Sequence, residues 1–161
     1  GGGGEGGPLT LERCLRSFTT TEVLSEEDTW YCPKCKQHQR ASKTMALWTA
    51  PSNLIVHLKR FSQEEQWRRE KLDTFVQFPL EGLDMSPYVR CPTAGPVVYD
   101  LYGVTNHFGS THGGHYTAYC LSAGDKKWHL YDDTVVSNSS PEAVCTKAAY
   151  VLFYKRRTES A

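Results

Sequence analysis

The segment 106–133, NHFGSTHGGHYTAYCLSAGDKKWHLYDD, holds the residue types best suited to chemistry. Gly113 and Gly114 immediately precede His115. Two glycines permit positive φ and carry no side chain, so another backbone can pass close beside the imidazole. HYTAYCL and KWHLYDD are strand-like, and Ala123, Gly124 and Asp125 between them form a turn signal. A tight antiparallel hairpin centred between Ala123 and Gly124 sets His115 directly opposite Asp132. An asymmetric turn or bulge moves this by one residue and still leaves Asp132 or Asp133 facing the histidine. Directly opposed residues have Cβ atoms about 4.5–5.5 Å apart, close enough for a carboxylate to accept a hydrogen bond from one ring nitrogen. Such a pair is the base and orienter of a nucleophilic triad. The competing reading is a surface ion pair; the double glycine and the opposed acids weigh against it. His57 and His129, each inside a strand-like run, are read as structural.

A second cluster is Cys32-Pro33-Lys34-Cys35. Two thiolates at this spacing can curl onto one Zn²⁺, but a structural zinc site takes four ligands. No second C-x-x-C exists in the chain. His38 could supply a third ligand and Cys14, Cys91, Cys120 or Cys145 a fourth, but none stands at knuckle spacing. A thioredoxin-like pair would open a helix, and the polar KQHQR that follows offers no amphipathic face. The preferred reading is half of a zinc site completed from elsewhere; the plainer one is two unliganded surface thiols.

The chain has 161 residues, zero formal net charge and six cysteines. A neutral balance points to neither nucleic acid nor membrane as partner. The one basic cluster, Arg68, Arg69 and Lys71, reads as a solvated turn or hairpin tip. No apolar stretch of about 18 residues occurs that could span a bilayer, and GGGGEGGP is not a secretory signal. These features place the protein in the cytoplasm or nucleus with reduced thiols.

These residues need a scaffold. Residues 1–8 are a glycine-rich flexible linker. Leu11, Leu15 and Phe18 recur at helical spacing behind a candidate N-cap, Thr10, with Cys14 on the core side. SKTMALW, NLIVHLKRF, TFVQFP, VVYDLYGVTNHF, HYTAYCL, KWHLYDD and AAYVLFYKR read as strands. SSPEAVCTK reads as a short helix with Ser140 as N-cap, Pro141 at the first helical position and Glu142 in the first turn. The expectation is an α+β chain, mostly antiparallel sheet, with a domain over 9–157 and a tail over 158–161.

GGHYTAY followed by KWHLYDD resembles the histidine box of the ubiquitin-specific proteases, papain-like cysteine proteases that cleave after the C-terminal glycine of ubiquitin. PSNLIVHLKRF, KLDTFVQFPL and AAYVLFYKR resemble strands of that family, and CPKC resembles one half of the zinc site in its fingers region. The likeness covers nearly the whole chain and is greatest to members whose catalytic domain is split by a long insertion. It implies the palm and fingers half of the fold, with half of a zinc-ribbon-like site. It also implies that His115 is the general base, Asp132 its orienter and Asp133 an auxiliary. Phe61, His107, Gly113, Gly114 and Tyr116 would line the channel for the ubiquitin tail, and Cys32 and Cys35 would hold structural zinc. Implied partners are ubiquitin, ubiquitinated proteins and the N-terminal half of the domain. The family's cysteine box, resembling G-L-x-N-L-G-N-T-C-Y, is not in these residues. Cys120 follows His115 on the same strand with opposite parity, and Cys145 has no base nearby, so no nucleophile is assigned. The second functional reading is a catalytically inactive scaffold that binds ubiquitin or a partner.

Overall fold

The structure is a computed structural model, and it describes residues 7–61, 72–92, 97–110 and 113–158. Residues 1–6 of the glycine run, the Arg68, Arg69 and Lys71 cluster and residues 159–161 lie outside the described residues. As expected, Thr10 caps α1 (Leu11–Thr19), its hydroxyl oxygen accepting the Arg13 N–H at 3.2 Å. Leu11 is buried, Cys14 and Leu15 pack against the core, and Phe18 stays exposed. Four short strands follow: β1 (Glu22–Val23), β2 (Trp30–Cys32), β3 (Gln37–Gln39) and β4 (Ser42–Lys43). They pair as two antiparallel ribbons, β1 with β4 and β2 with β3.

The main sheet contains β5 (Asn53–His57), β6 (Leu83–Asp84), β7 (Val98–Ser110), β8 (Gly113–Leu121), β9 (Trp128–Asp132), β10 (Val135–Ser139) and β11 (Ala149–Arg156). Its spatial order is β10-β9-β8-β7-β11-β5, with β6 paired to β7, and every pairing is antiparallel. Successive hairpins thus carry the chain from β7 to β10. One face buries Tyr99, Leu101 and Val104 of β7 and Leu152 and Tyr154 of β11 against Leu11, Leu83, Met85 and Val144. Each such apolar side chain contributes about 1.5–3 kcal/mol. The two tyrosine hydroxyls remain satisfied, donating to the Pro51 and Pro79 carbonyls at 2.6 and 2.7 Å. A register shift in the β7–β11 ladder leaves Tyr102 as an extra residue. The inward positions therefore change from Tyr99 and Leu101 to Val104 and Asn106.

Three local expectations differ from the structure. SKTMALW is a strand only at Ser42–Lys43; Leu47 instead makes a single parallel bridge to Val89. TFVQFP is not a strand: Arg60 binds the Thr74 carbonyl, and the Gln77 backbone bonds Leu9 and Leu11. The buried Arg60 guanidinium donates to the carbonyls of Leu72, Thr74 and Ala149 at 2.9, 2.8 and 2.7 Å. Only Gln77 forms a bridge, to Thr10. The helix expected in SSPEAVCTK is a single 3-10 turn, Pro141–Ala143, and the Ser140 side chain makes no backbone cap. It bonds the Glu142 carboxylate instead and lowers its pKa.

Candidate active site

The β8–β9 hairpin brings the predicted pair together by a different register. Its loop is residues 123–126, closed by the Ser122 N–H on the Lys127 carbonyl at 2.9 Å and the Lys126 N–H on the Ser122 carbonyl at 3.0 Å. Lys126 takes the left-handed conformation, φ 58°. The ladder runs from Leu121 opposite Trp128 to Ala118 opposite Tyr131. Continued by one rung, it places Thr117 across from Asp132, so the expected direct opposition of His115 and Asp132 is displaced by two residues. Two is one side-chain period, so His115 and Asp132 still share a face and meet diagonally. His115 Nε2 lies 2.6 Å from Asp132 Oδ1, and each side chain is 49% exposed.

An ionised carboxylate offers only acceptors, so Asp132 can take this bond from an N–H at Nε2. Asp133 and Thr134 form the two-residue turn to β10, since Asp132 pairs with Val135. Asp133 has φ 49°, a conformation that aspartate tolerates better than most residues. Ligand atoms of His115, Asp132 and Asp133 lie within 4.8 Å of one another, and among the described residues no other group of three or more such side chains comes together.

On the other face of β8, Tyr116 meets the predicted residues His107 of β7 and, through it, Phe61. His107 is buried opposite Tyr116, with ring centroids 4.7 Å apart. Phe61 stands edge-on to His107 at 5.6 Å. Tyr150 lies 5.8 Å from Phe61 and 5.9 Å from His107, and also meets His57 at 4.7 Å. Tyr150 was not anticipated. It sits at a register shift in β11 between Ala149 and Val151, and nothing in the alternation of AAYVLFYKR marks a bulge there. The glycines differ from one another. A Cβ on Gly114 would collide with His107 Nε2 and lie 2.6 Å from the Phe108 carbonyl oxygen, whereas Gly113 has open space around it. The close approach allowed by the double glycine is therefore made at Gly114, by His107.

The cysteines divide by environment. Cys120 pairs with His129 and Gly103 on the face away from His115, and burial raises its pKa. Burial also raises Cys14 and Cys145, and the Cys145 thiol points to the Val76 carbonyl at 3.8 Å. Cys32 goes the other way. Backbone N–H groups of Cys35 and then Lys34 are directed at its sulfur and lower its pKa. The Lys36 N–H bonds the Cys32 carbonyl at 2.7 Å, with Lys36 at φ 54°, closing the turn. His38 packs against Tyr31, and no third ligand joins Cys32 and Cys35 among the described residues.

A family model described as ubiquitin carboxyl-terminal hydrolase matches residues 11–154. The chain is 52% identical over 151 residues to ubiquitin carboxyl-terminal hydrolase 4 of Bos taurus. It is 51% identical over 149 residues to ubiquitin carboxyl-terminal hydrolase 15 of Homo sapiens. These matches cover 94% and 92% of the chain but only 16% and 15% of the relatives' lengths. Among solved structures, a chain of the yeast SAGA DUB module superposes with TM-score 0.79 at 36% identity, covering 93% of this chain and 33% of that one. A chain of the SAGA Ubp8/Sgf11/Sus1/Sgf73 DUB module bound to ubiquitin aldehyde gives TM-score 0.77 at 33% identity, covering 93% and 34%.

Proposed function

The chain belongs to the ubiquitin carboxyl-terminal hydrolase family, and from that premise we propose that it supplies the base and orienter of a deubiquitinase. The reaction is hydrolysis of the peptide or isopeptide bond after the C-terminal glycine of ubiquitin. The observation that carries this reading is the 2.6 Å contact between His115 Nε2 and Asp132, which orients the ring; in the neutral tautomer with the proton on Nε2, Nδ1 is the nitrogen that takes a proton. In the proposed reaction Nδ1 deprotonates a cysteine supplied by a part of the domain outside these 161 residues, and the thiolate attacks the carbonyl carbon. The imidazolium then gives its proton to the leaving amine, and the acyl-enzyme is hydrolysed by water that the same nitrogen activates. Asp132 holds the ring and stabilises its charged form; Asp133, in the adjoining turn, is an auxiliary. Phe61, His107 and Tyr116, together with Tyr150, form the apolar wall for the ubiquitin tail. Gly113 leaves the approach to His115 clear.

Cys32 and Cys35 hold one half of a structural zinc site in this reading, with two thiolates from the other half of the domain. The N–H groups aimed at Cys32 suit a thiolate donor. The zinc would pin the ribbon that bears it and take no part in the chemistry. The protein works in the cytoplasm or nucleus; no helix among the described residues is long and apolar enough to cross a membrane.

The test joins this chain to the half that bears the cysteine and follows release of a fluorophore from the ubiquitin C-terminus. His115→Ala should abolish turnover, by more than the roughly 10²–10⁴-fold typical of losing general acid–base catalysis, and Asp132→Ala should reduce it severely, with ubiquitin binding retained. Near wild-type turnover by His115→Ala would refute the assignment.

A further inference from the structure

β10 is a sheet edge of unusual composition. Natural edge strands are blunted by charge, by proline or by a covering segment. β10 reads Val135, Val136, Ser137, Asn138, Ser139, with neither charge nor proline. Val135 is 62% and Val136 56% exposed. The strand begins three residues after Asp132, across the Asp133-Thr134 turn, so it is continuous with the proposed catalytic pair.

The hairpin register identifies which backbone groups are free. In a two-residue hairpin the residues flanking the turn, here Asp132 and Val135, exchange both ladder hydrogen bonds, and the pattern then alternates. Val135, Ser137 and Ser139 therefore point their N–H and C=O groups inward to β9. Val136 and Asn138 point theirs outward, and among the described residues no backbone partner takes them. The edge thus presents two donor–acceptor pairs about 6.8 Å apart, ready to pair with an extended chain.

We propose that β10 is a docking strand for the extended segment flanking the modified lysine of a ubiquitinated protein; this rests on the deubiquitinase reading above. The leaving amine must reach His115, and the vacant strand position beyond β10 lies three strand spacings, about 14 Å, from β8. An extended lysine side chain spans about 6 Å of that. Two to four flanking residues at about 3.3 Å each cover the remainder. The uncharged edge suits an apolar or neutral segment without proline, paired through its backbone. The consequence is a preference for lysines in unfolded or extended segments over lysines on rigid folded surfaces.

The test uses the intact protein of which this chain is part. Val136→Pro removes an outward N–H without touching the ladder to β9; Asn138→Pro does the same one rung further on, and Val136→Ala keeps the N–H. Each is assayed on two substrates: ubiquitin joined through an isopeptide bond to a short unstructured peptide, and ubiquitin carrying only a C-terminal fluorophore. Either proline should lower kcat/KM on the peptide conjugate about three- to tenfold, the scale of one net hydrogen bond. The fluorophore substrate should be cleaved as by the wild type, which also reports correct folding. Val136→Ala should lose less than either proline on the conjugate. Unchanged cleavage of the conjugate by both proline variants overturns the proposal. Equal loss on both substrates by variants that keep the wild-type melting temperature shows that the enzyme's own domain covers the edge, and a proline that converts a dimer to a monomer in sedimentation assigns the edge to a second copy; either result also overturns it. If the wild type cleaves neither substrate, the deubiquitinase reading itself has failed and the proposal falls with it.

Discussion

Replacing Gly114 by alanine tests the packing behind His115 at a single carbon atom. Gly114 does not have the positive φ seen at Gly82 and Gly109, so backbone strain is not the issue. The added Cβ would collide with His107 Nε2, lie 3.0 Å from His107 Cε1 and 2.6 Å from the Phe108 carbonyl oxygen. His107 is 3% exposed and is held by Tyr116, Phe61 and Tyr150, so the ring cannot simply swing into solvent. The carbonyl belongs to the residue paired with His115, so moving it disturbs His115 directly. Overpacking of this kind costs about 1–3 kcal/mol, or about 2–12 °C of melting temperature in a domain of 150–250 residues. Gly113→Ala is the matched control. Nothing lies within 4 Å of its Cβ, so only the unfolded-state effect remains, a gain of about 0.4–1 kcal/mol. Thermal and urea unfolding of the two variants in the intact domain should therefore move in opposite directions. Adding His107→Ala to Gly114→Ala should recover part of the loss, a coupling that a double-mutant cycle measures. If Gly114→Ala is as stable as Gly113→Ala, or if removing the His107 ring restores nothing, the account of the double glycine is wrong.

Two further outcomes follow from other parts of the chain. The intact protein should contain about one zinc per molecule, lost when Cys32 and Cys35 are both serine; metal analysis of the purified protein decides it. Asp125 is held at a pKa of about 2, by the Lys127 N–H first and then by the Ser122 hydroxyl and His129, against about 3.9 in an unfolded chain. A depressed folded-state value means that its contribution is fully present above about pH 4 and disappears as pH falls through about 2. Asp125→Asn should flatten the acid limb of a stability-against-pH curve within that window and leave its neutral region with the wild-type slope.

What was legible in the chain follows from how local each cause is. Thr10 and the helical spacing behind it act within one turn, and α1 forms as read. The runs that became β5, β7, β8, β9 and β11 carry long, strongly alternating or β-branched patterns, and each forms. TFVQFP has a comparable pattern and does not form a strand; its Thr74 carbonyl is taken by Arg60, 14 residues away, and its Gln77 backbone by Leu9 and Leu11. No local pattern encodes that capture. Tyr150 escaped notice for a related reason. Its place depends on a register shift between β11 and β7, and the sequence alternation is blind to it.

The His115–Asp132 pair shows how far register reasoning reaches. The rung lies two residues from its expected place, since the loop over 123–126 is wider than the turn signal suggests, yet the pair forms. Side chains on a strand repeat every two residues, so an error of two moves a partner along its own face, while an error of one sends it through the sheet. Diagonal neighbours on one face remain within reach of long side chains, and the histidine ring and the aspartate together span the extra distance to 2.6 Å. Parity is thus the quantity that chemistry requires and that sequence can supply. The same parity places Cys120 on the wrong face to serve His115 and puts Tyr116 with His107. Strand β8 thereby separates a polar, half-exposed face bearing His115 from an aromatic face bearing Tyr116 one residue away, so that the proposed base and the proposed tail wall are held by the same strand.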